Sequence, residues 1–118
     1  MRRLSTARRL VLPAAAFAVV ASCGAFAHTR AEVSEGCAAG SADDCMALGY
    51  MMEKGQGGAR SAVDALARFE RSCELGSPIG CERAAELLEG GTAGRRDPKR
   101  AAAYRKRARE LGARACGG

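Results

Sequence analysis

The residues best equipped for chemistry are the six cysteines. Four of them form two copies of one pattern: CAAGSADDC at residues 37 to 45 recurs as CELGSPIGC at residues 73 to 81, so each pair has seven intervening residues and the pairs repeat at an interval of thirty-six. In an oxidising compartment such evenly repeated pairs suggest a disulfide framework, whereas in a reduced one they would suggest metal or redox chemistry. The metal reading is weak, because zinc-binding cysteines are usually about two to four residues apart. The only histidine, His28, cannot supply the several ligands of a zinc enzyme. No metal and no cofactor is expected.

Other chemistry-bearing residue types point to packing and turns. Met46, Met51 and Met52 crowd one short stretch, which core packing and partial exposure explain more simply than a soft-ligand site. The glycine-rich stretches EKGQGGARS and EGGTAGRRD do not continue with Gly-Lys-Ser/Thr and do not follow a strand, so they read as turns between helices and not as phosphate loops. The pair Asp43 and Asp44 suits a helix start better than general acid catalysis.

The compartment is decided by the first 27 residues. MRRLSTARR carries four arginines and no acid, LVLPAAAFAVVA is an apolar run, and small residues follow, which is the order of an export signal and too short for a confident membrane span. Two processing sites compete. The sequence AFA at Ala25 to Ala27 suits the general signal peptidase, whereas VASC at Val20 to Cys23 resembles the bacterial lipobox and would end the leader at residue 22. The lipobox is favoured, because the apolar run ends at Cys23 and every motif position is permitted. Both routes remove Cys23 as a free thiol, and lipidation would anchor the chain to a membrane. The expected location is the periplasm or cell envelope, as a lipoprotein, with secretion as the alternative.

Charge must be recounted without the leader. The formal net of +6 falls to about +2 after Ala27, which is no nucleic-acid footprint. What remains is segregated: residues 31 to 94 hold eleven acids against five bases, and residues 95 to 114 hold nine bases against two acids. A polar partner or a second copy stacked end to end could use that asymmetry, and a solvated outer face would also account for it.

The elements that carry the cysteines repeat as well. At a shift of thirty-six, Met51, Met52, Glu53 and Gly55 align with Leu87, Leu88, Glu89 and Gly91; the shift is thirty-five for Phe69 with Tyr104 and for Cys81 with Cys116. Self-similarity at this period marks a repeat architecture. In DDCMALGYMMEKG, Cys45, Leu48, Gly49 and Met52 form one helical stripe, with Asp43 or Asp44 as cap and Gly55 as stop. SAVDALARFERSCELG places Ala62, Leu66, Phe69 and Cys73 on one face, with Ser61 as cap and Gly76 as stop. The second unit repeats the scheme with Cys81, Ala84, Ala85 and Leu88, then with Ala101, Tyr104, Ala108 and Leu111 in a helix started by Asp97 and Pro98. Gly49 and Ala85 occupy equivalent places where a neighbouring helix would come close. No strand-like alternation occurs.

The stretches CMALGYMMEKGQGGARSAVDALARFERSCELG and CERAAELLEGGTAGRRDPKRAAAYRKRARELG resemble the Sel-one-like repeat, a relative of the tetratricopeptide repeat, and more narrowly its cysteine-rich secreted subclass. The resemblance covers about residues 35 to 116 and comprises about two repeats, near 37–72 and 73–112. It implies an all-α fold, a short right-handed solenoid of antiparallel helix pairs clipped by disulfides, with Cys37 joined to Cys45 and Cys73 to Cys81. Each bridge would tie the end of one helix pair to the start of the next and compensate for a stack with few neighbours. Cys116 sits where a third clip would end, yet the position eight earlier is Ala108. Three fates stay open for it: a free thiol, a disulfide-linked dimer, or the remnant of a truncated repeat.

The resemblance further implies a non-enzymatic module that binds protein or cell-envelope partners. The basic final helix would be the contact, with Arg100, Arg105, Lys106, Arg107 and Arg109 facing anionic groups. The alternative function is penicillin binding or weak β-lactam hydrolysis, also associated with the subclass. No Ser-x-x-Lys, Ser-Asp-Asn or Lys-Thr-Gly occurs to support it, so no catalytic residue is assigned.

Overall fold

A computed structural model describes residues 28–117, and every regular element among them is a helix. Five follow in order: α1 (Arg30–Ala38), α2 (Ala42–Lys54), α3 (Ala62–Glu74), α4 (Pro78–Gly90) and α5 (Pro98–Gly117). Each packs on the next, and α2 also touches α4. The architecture is therefore two stacked helix pairs, α2 with α3 and α4 with α5, preceded by α1. Residues 1–27, with Cys23 and both cleavage motifs, lie outside the described residues, as does the side chain of Cys116 on the last turn of α5.

Helix starts follow short hydroxyl caps. Ser61 caps α3 as expected, accepting from the Asp64 N–H at 3.1 Å. Asp43 and Asp44 do not cap α2; Ser41 does, accepting from the Asp44 N–H at 3.2 Å. From its extended backbone Ser41 is placed to reach the third helical N–H, whereas the two acids already lie inside the first turn and favour the positive end of the helix dipole. Ser77 repeats this at α4, followed by Pro78. A nine-residue helix, α1, precedes the two units and begins with a capping box between Thr29 and Glu32.

Helix ends separate the two units. Gly55 (φ 75°) and Gly91 (φ 71°) close α2 and α4 in the left-handed conformation that glycine adopts without cost, and Gly76 (φ 103°) turns the chain after α3. Gly112, one period after Gly76, does not end α5, which runs on to Gly117. Gly76 is followed by Ser77 and Pro78, which start a new helix, while Gly112 is followed by Ala113 and Arg114, which offer neither a capping hydroxyl nor a ring and continue the one in progress.

Both cysteine bridges form. Cys37 joins Cys45 with Cα atoms 4.4 Å apart, and Cys73 joins Cys81 with Cα atoms 4.5 Å apart. Each ties the last turn of one helix to the first turn of the next across a tight turn, and on a chain-entropy account closing so short a loop contributes about 2 to 3 kcal/mol. All four sulfurs belong to the core. The first bridge packs with Val33 and Leu48, and the second with Ala108.

Between the clips the core is narrow. Phe69 is fully buried among Ala65, Ala84 and Leu87, and Tyr50 meets it edge-on at 5.1 Å. Gly49 lies against the same ring, where an added Cβ would stand 2.7 Å from Phe69 Cε1, so no larger residue fits without moving a buried aromatic. Ala85, its counterpart, is also fully buried. Ala65 belongs to the core although the helical stripe did not include it, while Leu66, Tyr104 and Leu111 are only half-buried. Ser72 is the single buried polar side chain among the described residues, and its hydroxyl donates to Ala42 O at 2.8 Å, tying α3 to the start of α2.

Candidate functional site

The basic helix α5 meets acids of the two preceding helices, 16 to 34 residues back in the chain. Arg100 pairs with Glu70 on α3, and the Tyr104 hydroxyl donates to the same carboxylate at 3.1 Å. Burial and the neighbouring Glu70 charge push the Tyr104 phenol above its ordinary range. Arg105 reaches Glu82 at 2.6 Å and also pairs with Glu89, both on α4. Its hydrogen bonding to Glu89 holds the guanidinium still more firmly in the charged form. Arg107 donates through Nε to Cys73 O at 3.4 Å, and Lys106 lies 3.9 Å from Glu110 on its own helix. Arg109 is exposed and makes no ion pair or hydrogen bond among the described residues.

The five candidate cations therefore divide by partner. Arg100, itself exposed, and half-buried Arg105 pair with acids on other helices and fasten α5 to α3 and α4. Lys106, Arg107 and Arg109 are exposed and pair with no acid of another helix among the described residues. Sequence reasoning could place all five on one basic helix but could not separate these groups, because the partner acids are distant in the chain.

A further cation lies outside these five. Arg83 on α4 grips Glu53 on α2 at 2.6 Å and 2.9 Å, and its guanidinium lies over both Tyr50 and Phe69, 5.3 Å and 5.4 Å from the ring centres. Burial works against its charge, but the Glu53 hydrogen bonds and field prevail and raise its pKa. It staples one helix pair to the next. No local periodicity signals this contact.

The two inter-helix turns differ in what fills them. Beside the turn of residues 55 to 60, Arg30 of α1 reaches in and donates through Nε to Gln56 O at 2.9 Å, and through its terminal nitrogens to Met51 O at 3.0 Å and Ala59 O at 3.2 Å. Beside the turn of residues 91 to 97 there is a cleft of about 270 Å³ lined by Leu66, Leu87, Leu88, Ala93, Arg95, Asp97 and Arg100. Asp97 accepts from the Arg100 backbone N–H at 3.0 Å and so caps α5.

Among the described residues no cluster of three or more His, Cys, Asp or Glu could hold a metal ion, and no helix is long and apolar enough to cross a membrane. A crystal structure of a Sel1 repeat protein from Oxalobacter formigenes superposes with a TM-score of 0.67 at 23% sequence identity, over 70% of this chain and 34% of that one. The fold is that of a Sel1 repeat protein. Against that structure the chain spans about a third of the length. No family model matches the sequence, and no curated protein matches it.

Proposed function

We propose that this chain is an exported, non-enzymatic helical-repeat module that binds a protein or cell-envelope partner, with the outward face of α5 as the contact. The observation that supports this reading is the division of the α5 cations. Arg100 and Arg105 are held by acids on other helices, while Lys106, Arg107 and Arg109 are exposed on α5 and pair with no acid of another helix among the described residues. A helix face that carries several cations suits an anionic surface, and the small net charge after Ala27 argues against nucleic acid.

Export is supported by the basic-then-apolar leader and by two bridges that suit an oxidising compartment. In this reading Cys23 takes a lipid that keeps the module at the envelope, and Cys116 serves as the point of linkage to a second copy. Intact mass with and without reductant tests both: expected are a lipid increment on Cys23 and a reductant-sensitive dimer.

The contact is tested by capture from envelope extract, with partners identified by mass spectrometry. Lys106→Glu with Arg109→Glu should lower capture at least about tenfold, equivalent to about 1.4 kcal/mol, and raising ionic strength should do the same to the parent. Unchanged capture by the double variant overturns the assignment of α5.

A further inference from the structure

The repeat allows one turn to be compared with the other residue by residue. At the shift of thirty-six, Leu66 stands where Arg30 stands in the first unit, Leu87 and Leu88 where Met51 and Met52 stand, and Gly94 where Gly58 stands. Arg30 fills the first turn so closely that a Cβ on Gly58 would meet its guanidinium at 2.7 Å. The second turn has a different backbone, with positive φ at Gly94 (129°) where the first has it at Gly57 (72°), and a Cβ on Gly94 would meet nothing within 4 Å. Leu66 is too short to enter, and the space left is the cleft described above. Arg30 fills the socket of the first unit; in the second, Arg96 lies against Gly91 and donates to Glu89 O at 2.8 Å, and the cleft remains beside it.

The charges around the socket are also exchanged. In the first unit a cation occupies the centre, with Ala59 and Asp64 in the two aligned wall positions. In the second unit the floor is apolar, formed by Leu66, Leu87, Leu88 and Ala93, and the positions aligned with Ala59 and Asp64 are Arg95 and Arg100, both of which line the cleft. Arg95 makes no ion pair or hydrogen bond among the described residues. Arg100 gives one terminal nitrogen to Glu70 and has others available, since a guanidinium carries five N–H donors. The one acid of the lining, Asp97, is engaged as the α5 cap.

We infer that this cleft is a binding site for a small carboxylate with a branched apolar tail, the tail against the leucine floor and the carboxylate on Arg95 and Arg100. A volume near 270 Å³ lies just under the range of about 300 to 1,000 Å³ usual for drug-sized ligands, so the ligand is the size of one or two amino-acid residues. The carboxyl-terminal residue of a peptide and a free aliphatic acid share this chemistry. The site is separate from the outward cations of α5.

The test is an amide chemical-shift titration of the oxidised protein with three probes: an N-acetyl dipeptide ending in leucine, its carboxyl-terminal amide, and isovalerate. The dipeptide acid should shift the amides of residues 93 to 97 saturably, and the amide should bind at least about tenfold more weakly, the loss expected for one charge-assisted contact. Response to the dipeptide alone assigns a peptide terminus as the ligand, and response to isovalerate as well assigns small acids. Leu66→Arg, which copies the plug of the first unit, should abolish binding, and Arg95→Gln should weaken the acid about tenfold while leaving the amide unchanged. Lys106→Glu with Arg109→Glu should leave the titration unaffected, so this site and the α5 contact fail separately. Equal binding of acid and amide, no shift at tens of millimolar, or undiminished binding by folded Leu66→Arg or Arg95→Gln overturns the inference.

Discussion

The two repeat units share a backbone scheme and differ in how they are closed. In the first, Arg30 reaches from α1 across the turn and satisfies three backbone carbonyls; in the second, Leu66 stops short and leaves a cleft rimmed by guanidinium groups. The clips also sit differently. Cys37–Cys45 fastens α1, a nine-residue helix at one end, whereas Cys73–Cys81 lies between the units and packs against Ala108 of α5. A repeat of the same helices does not make equal units, because a side chain at one register position decides whether a turn is sealed from within or left for a ligand.

The contrast can be broken most forcefully at the clips. Removing the central bridge with Cys73→Ser and Cys81→Ser should lower stability by about 3 kcal/mol and shift the urea midpoint of the whole molecule. Removing the first with Cys37→Ser and Cys45→Ser should instead release α1 locally, visible as fast amide exchange confined to residues 30 to 38. Identical exchange patterns in the two variants would show the clips to be equivalent. The next effect is steric. Gly49→Ala should cost about 1 to 3 kcal/mol by pressing on the buried Phe69 ring, while Ala85→Gly, the reverse exchange in the second unit, should cost about 1 to 2 kcal/mol through helix propensity and the loss of a buried methyl; denaturant melts of both compare them.

Arg30→Leu makes the first turn resemble the second. It should cost about 1 to 2 kcal/mol by withdrawing a charged donor from three carbonyls, and a smaller loss would mean that water replaces it there. Smaller still is Arg105→Ala, which breaks two surface ion pairs. The expected loss is under about 1 kcal/mol and should vanish in molar salt.

The slightest effect is one of pH, and it also separates the units. The Glu32 carboxyl accepts the Thr29 backbone N–H and interacts with its hydroxyl, which together hold its pKa below the ordinary 4.5. A carboxyl depressed in the folded state supports it above the unfolded pKa and loses that support as pH falls through the folded value. Below about pH 4.5, amide exchange should therefore quicken at the start of α1, whereas the serine-capped starts of α2, α3 and α4 stay protected.

Much of this architecture was legible before the structure. The cysteine interval, the stripes through Cys45, Leu48 and Gly49, the stops at Gly55 and Gly91, and the Asp97–Pro98 start depend on residues near one another in the chain, where helical geometry is regular. Other features were not. The sequence does not separate Ser41 from the neighbouring acids as the cap of α2, because cap and first turn differ by a residue or two, a shift that periodicity does not resolve. The thirty-residue reach from Arg83 to Glu53 and from Arg100 to Glu70 depends on how the pairs stack. The run of α5 past Gly112 has a local cause, since Ala113 and Arg114 stand where Ser77 and Pro78 follow Gly76.

By itself the sequence determined that this is a helical repeat with a period of thirty-six residues, where most helices begin and end, and which cysteines stand near turns. Those properties follow from local backbone preferences and from residue spacing along one chain. Only the tertiary structure decided which cations fasten helices and which face solvent, that Arg30 plugs one turn, and that the other stays open. The physical reason is that ion pairing, burial and cavity volume depend on where distant helices lie once they pack, and a one-dimensional pattern does not carry that distance.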